Sequence, residues 1–396
     1  MQQSDSEKLT SLIEAANCYG RFYCKFISAN DVDLTGAHQV GLYIAKNAWN
    51  VFFEEPGVKG ENKEKYIQIH IEGYYPFTSR AIYYGRGTRN EYRLTRFWTN
   101  SPFDKTEHVG SLIVFIPMSV EDYKVYILDT DLEIETFIDE FSLSFLQNNA
   151  VYERGKASEL DLSKKLSQKI EEAVKVFDNF PSTTDMAAIA RRIYQEVYKK
   201  KRYTPDTILL EWVKTEYSTF KALEKNLYRE YISKAFGDVD PLVAAAKTIL
   251  NRRKSRAGKS LEHHLDFLFS SFDLPFSHPG QSEGNKKPDF LLPSNAHYAD
   301  MGYPAEKLIF LGAKTTCKDR WRQILNEANR IPQKYLLTLQ QGISPNQLDE
   351  MAEESVILVV PKAYHGLYPE QYQDSLWTVE RFIKYAEEKY SIQNFF

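Results

Sequence analysis

The stretch PDFLL at residues 288–292, followed by LIFLGAK at residues 308–314, decides the fold of the second half of this chain. Each is a short apolar run, and the first emerges from turn-rich residues 284–287, so both are predicted to be β-strands. We expect the two strands to be neighbours in one sheet. Asp289, at the entrance of the first strand, and Lys314, at the end of the second, would then lie close together.

The segment after Lys314 has a helical pattern. Its apolar residues recur at i, i+3, i+4 and i+7, which predicts an amphipathic helix packed on the sheet. The polar face of this helix carries Glu327, which would point back toward Asp289 and Lys314. The four apolar residues are Trp321, Ile324, Leu325 and Ala328.

Two carboxylates beside a lysine suit the hydrolysis of a phosphodiester. Mg²⁺ prefers a few carboxylate oxygens plus water, and it polarises phosphoryl oxygens and stabilises developing charge. Asp289 and Glu327 are the candidate ligands, and Lys314 is the candidate that orients or helps to deprotonate the attacking water. Taken singly, each is an ordinary loop or strand-end residue. Together they favour a Mg²⁺-dependent DNA nuclease.

Three segments carry a family resemblance. Residues 314–328 resemble the catalytic segment of the EcoRII family of type II restriction endonucleases, and residues 251–262 and 283–290 resemble that family in the same order. The resemblance implies a PD-(D/E)xK core, an α/β fold in which the last carboxylate has moved from a strand to the following helix. By this resemblance the catalytic residues are Asp289, Lys314, Glu327 and the supporting acid Glu262, with Asp289 and Glu327 as metal ligands.

The same resemblance assigns base recognition to Lys318, Asp319 and Arg320. Arginine or lysine can bridge guanine O6 and N7 in the major groove, and a carboxylate can accept from cytosine N4, so these residue types suit CC/GG base pairs. The implied target is CCWGG, cut before the first C. Because related catalytic segments read CCNGG, the central base pair stays open.

The N-terminal part resembles the effector domain of the family, an all-β, B3-like pseudobarrel. Residues 28–43 correspond to the first DNA-binding arm, and residues 88–98 to the second. Both alternate polar and apolar side chains, as strand edges or loops lying in a groove require. Such alternation also fits a solvated strand face. The implied effector-site residues are Asn30, His38, Gln39, Arg89, Asn90, Glu91, Arg93 and Arg96.

Charge is distributed unevenly. The net charge of the 396 residues is −4, which argues against a non-specific nucleic-acid coat, but residues 1–150 hold 14 lysines and arginines against 21 aspartates and glutamates. Residues 252–259 form a basic run without an acid. Such a run suits phosphate contact, although many charge runs are solvated surface. The candidate DNA-backbone residues are Arg252, Arg253, Lys254 and Arg256, together with Arg322.

A chain of this length, 43% hydrophobic, can bury two ordinary cores. Short alternating runs, such as residues 66–71 and 111–116, predict an all-β domain at residues 1–147. Residues 148–180 are predicted to be a linker with some helix, and residues 181–396 to be the nuclease domain with a helical extension. Three scattered cysteines indicate no disulfide framework. The polar N-terminus and the absence of a long apolar window favour a cytoplasmic protein without a membrane partner.

The resemblance implies a type IIE enzyme that uses Mg²⁺ and no nucleotide cofactor. It also implies a homodimer, since a palindromic site matches a two-fold symmetric protein. The N-terminal domain would cover the catalytic cleft until it binds a second, effector copy of the double-stranded site. The alternative is a DNA-binding regulator or methylation sensor with a degenerate nuclease core. Intact Asp289, Lys314 and Glu327 speak against that alternative.

Overall fold

The computed structural model describes residues 5–36, 41–155, 163–198, 203–233 and 236–392. The helices are α1 (Asp5–Tyr19), α2 (Trp49–Phe52), α3 (Phe97–Asn100), α4 (Asp131–Glu140), α5 (Lys164–Val174), α6 (Thr183–Val197), α7 (Pro205–Ser233), α8 (Val239–Ser271), α9 (Asn295–Ala299), α10 (Pro345–Glu353) and α11 (Val379–Lys389). The strands are β1 (Arg21–Phe26), β2 (Leu42–Ile44), β3 (Lys63–His70), β4 (Phe77–Tyr84), β5 (Glu91–Thr95), β6 (Leu112–Pro117), β7 (Asp122–Leu128), β8 (Asn149–Glu153), β9 (Phe290–Leu292), β10 (Ile309–Lys314), β11 (Lys334–Thr338) and β12 (Val356–Val359).

The N-terminal half is built on one eight-stranded sheet in the order β2-β5-β4-β3-β7-β6-β1-β8. Neighbouring strands are antiparallel except β3 and β7, which are parallel. Alternation along β1 places Tyr23 in the core on one face and Phe22 in the core on the other, where α1 and α4 pack. The strands predicted at residues 66–71 and 111–116 are confirmed as β3 and β6.

The C-terminal half contains a four-stranded mixed sheet in the order β12-β11-β10-β9. β9 is antiparallel to β10, whereas β10, β11 and β12 run parallel. The sheet and the adjoining stretches of α7 and α8 share one hydrophobic core, in which Phe269 and Phe310 are fully buried. The two neighbouring strands predicted around Asp289 and Lys314 are therefore confirmed.

The proposed limits at residues 147 and 180 stay predictions as domain boundaries. Two elements nevertheless lie within the segment expected to be a linker. β8 adds to the N-terminal sheet by pairing with β1. α5 packs through Leu166, Ile170 and Val174 in a core shared with α6 and α7, and therefore belongs with the C-terminal helices.

The prediction of an amphipathic α-helix from the apolar spacing of residues 321–328 is wrong. Residues Arg320–Asn326 form a 3₁₀ helix, and Glu327 follows it in extended conformation. Trp321 and Ile324 are buried three residues apart, which the three-residue turn of a 3₁₀ helix allows. Glu327 thus sits beyond the helix end rather than on its polar face. The correction changes how Glu327 is held, since its main chain is extended where it approaches the sheet.

Among the helices that the structure describes, none combines the length and the apolar character that crossing a bilayer requires.

Candidate active site

The structure brings Asp289 and Lys314 together, as the sequence predicts. Asp289 immediately precedes β9, and Lys314 ends the antiparallel neighbour β10. The Asp289 Oδ2 atom accepts hydrogen bonds from the Ala313 main-chain N–H at 2.8 Å and from the Lys314 Nζ at 3.1 Å. The carboxylate is thus held at a defined place by backbone and side chain. Both side chains keep part of their surface open, at 15% and 27% exposure, so a substrate could reach them.

Glu327 belongs to the same electrostatic cluster. Burial raises the pKa of Glu327, and the negative charge of Asp289 raises it further, against the opposing influence of Lys314. Its main-chain carbonyl accepts a hydrogen bond from Lys334, whose Nζ also donates to the Ala328 carbonyl at 2.6 Å. Lys334 therefore fixes the extended segment that carries Glu327. Burial lowers the pKa of Lys334 to about 8.

The donor set fits a hard divalent cation. Asp289 and Glu327 repel each other in a half-buried setting, and a cation between them would relieve that repulsion. Across the described ranges no preformed group of three or more His, Cys, Asp or Glu side chains is present. Mg²⁺ does not need one, because it is commonly bound by one or two carboxylates plus water and substrate phosphate.

Glu262 lies on α8 and is bound by groups other than Asp289 and Lys314. It accepts from Lys259 Nζ at 3.0 Å and from His278 Nε2 at 3.3 Å. Burial acts to raise the pKa of Glu262, but hydrogen bonds from His278 and Lys259 outweigh it and hold the pKa below its usual value. The His278 ring contacts Phe290, the residue after Asp289, with 4.4 Å between ring centroids. Through His278, Glu262 is tied to the strand that carries the site.

Sequence reasoning missed His278 and Lys334. His278 precedes β9 in a loop, where no periodicity marks it. Lys334 opens β11, and a lysine immediately before the apolar run at residues 335–337 was an available signal.

The residues assigned to base recognition lie under α4 of the N-terminal half. The carboxylate of Asp131 accepts from the main-chain N–H groups of Lys318, Asp319 and Arg320, each at 3.0 Å. Asp319 Oδ1 accepts from the Asp131 main-chain N–H at 2.8 Å. The Arg320 guanidinium forms an ion pair with Glu135. All three residues are therefore engaged by one helix in this conformation.

Lys318 is the most deeply covered of the three. Its side chain is 2% exposed, and its Nζ donates to Ser111 Oγ at 2.6 Å and to the Val109 carbonyl at 3.3 Å. Burial lowers the pKa of Lys318, while Asp129 and Asp131 oppose that effect. The ammonium group cannot reach a base edge without separation of these contacts.

The residues proposed for the DNA backbone have different surroundings. Arg253 is paired with Glu224 and also donates to the carbonyls of Asp139 and Glu140, both at 3.0 Å, at the C-terminal end of α4. Arg256 is 9% exposed and lies over the rings of Tyr217 and Phe220. Lys254 is exposed, Arg252 lies over the Phe180 ring and donates to Tyr228, and Arg322 is paired with Glu350.

The predicted effector arms divide into exposed and buried residues. Arg89, Asn90 and Arg96 are exposed. Arg93 is 2% exposed, with Nη1 donating to the Gly41 carbonyl at 3.0 Å and Nη2 paired with Glu91, so it supports the arms from inside. Asn30 is half-buried and accepts from Thr35 Oγ1 at 3.0 Å. His38 and Gln39 lie outside the described residues.

A buried ion pair holds Asp31 of the first arm, and the main chain of Asp31 binds the second arm. Lys25 Nζ lies 2.7 Å from both carboxylate oxygens of Asp31, which also accept from the main-chain N–H groups of Ser28 and Tyr43. The Trp98 Nε1 group, from the second arm, donates to the Asp31 carbonyl at 2.9 Å. Asp31 thus holds both arms in one arrangement. Breaking a buried pair of this kind is costly because it leaves a charge without a partner.

Comparison with known proteins agrees with this geometry. Residues 16–152 match the family described as restriction endonuclease EcoRII, N-terminal, and residues 220–383 match EcoRII C terminal. The type II restriction enzyme EcoRII of Escherichia coli is 37% identical over 396 residues, covering 94% of this chain and 95% of the relative. The type II restriction enzyme SsoII of Shigella sonnei is 28% identical over 117 residues, covering 27% of this chain and 37% of the relative.

Among solved structures, a PspGI–substrate DNA complex is similar at TM-score 0.45 and 16% identity, covering 60% of this chain and 100% of that one. A metal-depleted Ecl18kI complex with uncleaved, modified DNA is similar at TM-score 0.44 and 19% identity, covering 58% of this chain and 86% of that one. The family matches in both halves and the end-to-end identity, rather than these likenesses, decide the assignment. The chain belongs to the EcoRII family of type II restriction endonucleases, which act on DNA.

Proposed function

We propose that this enzyme hydrolyses phosphodiesters of double-stranded DNA with Mg²⁺, using Asp289, Lys314 and Glu327. The convergence of Asp289, Lys314 and Glu327 at one edge of the C-terminal sheet carries the proposal. Asp289 and Glu327 would hold the cation, which when bound polarises the phosphoryl oxygens and stabilises developing charge. Lys314 orients the attacking water and offsets negative charge at the phosphorus. Glu262, held by His278, serves as the supporting acid.

Specificity is assigned to Lys318, Asp319 and Arg320, which begin four residues after Lys314 along the chain. Their side chains combine guanine-reading donors with a cytosine-reading acceptor, which suits CCWGG or a related CC/GG site cut before the first C. The short connection from Lys314 supports this role, because bases read by these residues would lie beside the phosphate to be cleaved.

The enzyme is proposed to be autoinhibited by α4. This helix carries five acidic residues and no basic one, and it places Asp131 and Glu135 on the segment assigned to base recognition. Its C-terminal carbonyls accept from Arg253, a residue assigned to the DNA backbone. Duplex DNA would have to accept hydrogen bonds from the same donors. α4 and the substrate therefore compete for residues 318–320. An effector duplex bound to the B3-like N-terminal domain would favour the open state, in which α4 has moved away from these residues.

A homodimer is proposed from a surface of the C-terminal helices. The C-terminal part of α7 and the N-terminal part of α8 expose several apolar side chains, including Ile232 at 63%, Val239 at 66% and Leu242 at 48%. A patch of this kind on a globular protein marks an interaction site. Two-fold pairing through this hairpin would present two catalytic domains to the two strands of a palindromic site. A cytoplasmic location is proposed as well, because an enzyme that cleaves DNA would meet cellular and incoming DNA there.

The direct test is incubation with plasmids that carry one or several CCWGG sites, with Mg²⁺ and with mapping of the cut ends. The proposal predicts cuts before the first cytosine, faster on plasmids with several sites or with an added site-bearing duplex. Folded protein that binds the site specifically and cuts no DNA would instead support a regulator with an inactive nuclease core.

A further inference from the structure

His108 lies between the second effector arm and the catalytic half. On one side its ring is stacked near that of Trp98, with centroids 6.3 Å apart and planes 11° apart, and the Phe103 ring meets its edge at 5.3 Å. On the other side His108 Nδ1 is 2.8 Å from Asp129 Oδ1. The ring therefore joins an aromatic cluster of the effector arm to a carboxylate.

The contacts continue from Asp129 to Lys318. Asp129 Oδ1 also accepts from Ser111 Oγ, and Ser111 Oγ in turn accepts from Lys318 Nζ at 2.6 Å. The Asp129 main-chain N–H donates to Glu133 Oε2 at 3.1 Å, and Glu133 with Thr130 forms the capping box that starts α4. Asp129 thus contacts the group that holds Lys318 through its carboxylate, and the first turn of α4 through its main-chain N–H.

The arm at the other end of this path has restricted freedom. Trp98 is pinned to the first arm by its hydrogen bond to the Asp31 carbonyl. A displacement of either arm by bound DNA would therefore change the position of the Trp98 ring. His108 is packed between Trp98 and Phe103 and would have to follow, at the cost of its contact with Asp129.

We propose that His108 is the positioning residue that couples DNA binding at the effector arms to the release of Lys318. The inference rests on the proposed autoinhibition and gives it a specific route. In the closed state, in which α4 covers residues 318–320, the His108–Asp129 contact supports both the Ser111–Lys318 hydrogen bond and the start of α4. Effector DNA favours the open state to the extent that it binds the arms more tightly once these contacts are broken.

The test compares three variants of the full-length enzyme. His108→Ala removes the ring and the hydrogen bond, whereas His108→Asn keeps a side-chain N–H donor near the position of Nδ1. His70→Ala is the matched control. The His70 Nε2 atom lies 2.9 Å from Asp122 Oδ1, in a similar pair that is distant from both arms. Each variant is assayed for cleavage of single-site DNA with and without a short duplex carrying the cut site, for binding of that duplex, and for thermal unfolding.

For His108→Ala we expect cleavage without effector to rise by about 5- to 30-fold, as loss of one or two partly buried hydrogen bonds in the closed state implies. The stimulation by effector should fall by the same factor, and effector affinity should be unchanged or tighter, because linkage is reciprocal. His108→Asn should restore low cleavage without effector, and His70→Ala should behave as wild type.

Weaker effector binding by His108→Ala with unchanged basal cleavage would show a purely local role in the arm and would overturn the coupling. If His108→Ala unfolds, Ser111→Ala provides the same test from the other end of the path, and wild-type regulation in that variant would also overturn it. The double variant Asp131→Ala/Glu135→Ala separates the two levels. If it too cuts like wild type without effector, autoinhibition itself fails. If it is released while folded His108→Ala is not, only the role of His108 fails.

Discussion

The carboxylate of Asp131 accepts a hydrogen bond from the main-chain N–H of Lys318, at 3.0 Å, across the junction between the two halves of the chain. The first turn of α4 is thereby attached to the segment that follows Lys314, the lysine of the proposed active site. In the proposed complex with DNA the duplex would use the same donors, so the Asp131 carboxylate would compete with it. The proposed regulatory contact and the proposed active site therefore lie within a few residues of each other along the chain.

Removal of either central active-site residue should abolish cleavage without abolishing DNA binding. Asp289→Ala and Lys314→Ala should each reduce the cleavage rate by about three orders of magnitude or more, since each removes several kcal/mol of charge stabilisation. Binding of a site-bearing duplex, measured with Ca²⁺ in place of Mg²⁺, should be largely retained. Asp374→Ala, at an exposed aspartate, is the control. Wild-type cleavage by the Asp289 variant would refute the active-site assignment.

Weakening α4 should release the enzyme from its need for effector DNA. Asp131→Ala combined with Glu135→Ala removes the hydrogen bonds to residues 318–320 and the ion pair with Arg320. We expect cleavage of single-site DNA without effector to rise by about tenfold or more, as loss of some 1.4 kcal/mol from the closed state implies. Leu132→Ala, at a neighbouring side chain that is 62% exposed, should leave regulation unchanged.

Autoinhibition should depend on pH through Asp139 at the other end of α4. Burial raises the pKa of Asp139 to about 6, although Arg256 acts in the opposite direction. If the pKa of Asp139 returns to its ordinary value when α4 moves away, the closed state binds a proton at Asp139 more tightly than the open state does. The stabilisation of the closed state is then fully present below the ordinary pKa and is lost as the pH rises through about 6.

Two measurements test this loss of autoinhibition with rising pH. Effector-independent cleavage, taken relative to the Asp131→Ala/Glu135→Ala variant to cancel the pH dependence of the chemistry, should increase between about pH 5 and about pH 7. Asp139→Asn, which cannot ionise, should flatten this increase and lower effector-independent cleavage near neutral pH. An identical profile in the wild type and in Asp139→Asn would show that Asp139 does not contribute.

The apolar helical hairpin should be needed for assembly. Leu242→Glu places a charge in the exposed apolar patch of α7 and α8, and we expect it to shift the protein from dimer to monomer in sedimentation velocity experiments. Val58→Glu, at an apolar side chain that is 67% exposed in the other half, is the control. A dimer that survives Leu242→Glu would exclude this face as the interface.

The sequence predicts the strands and the meeting of Asp289 with Lys314 because both depend on local pattern and on one strand pairing. It fails at Arg320–Asn326, where the spacing of Trp321 and Ile324 fits both an α-helix and a 3₁₀ helix. In the fold, β11 pairs with β10 and Lys334 binds the carbonyl of Glu327, which favours a 3₁₀ helix that ends before the extended residue Glu327. Periodicity contains no information about such a contact.

Contacts between the two halves of the chain are still harder to predict from the sequence. Arg253 and Arg256 belong to a basic run that suggests phosphate, yet Arg253 binds Glu224 and the end of α4, and Arg256 lies over aromatic rings. A residue type and its neighbours in sequence cannot show which donors a distant helix will occupy. The acidic character of residues 1–150 was the available sign that this half could cover a DNA-binding surface.

The most direct test of the account is the cleavage rate of an enzyme that lacks residues 1–162. This deletion removes α4 and keeps α5, whose Leu166 and Ile170 pack on α6 and α7, so the C-terminal core is retained. We predict faster cleavage of single-site DNA than by the full chain, with no further stimulation by an effector duplex. A folded truncation that cuts no faster than the intact chain, or that cuts no DNA, would contradict autoinhibition by the N-terminal half.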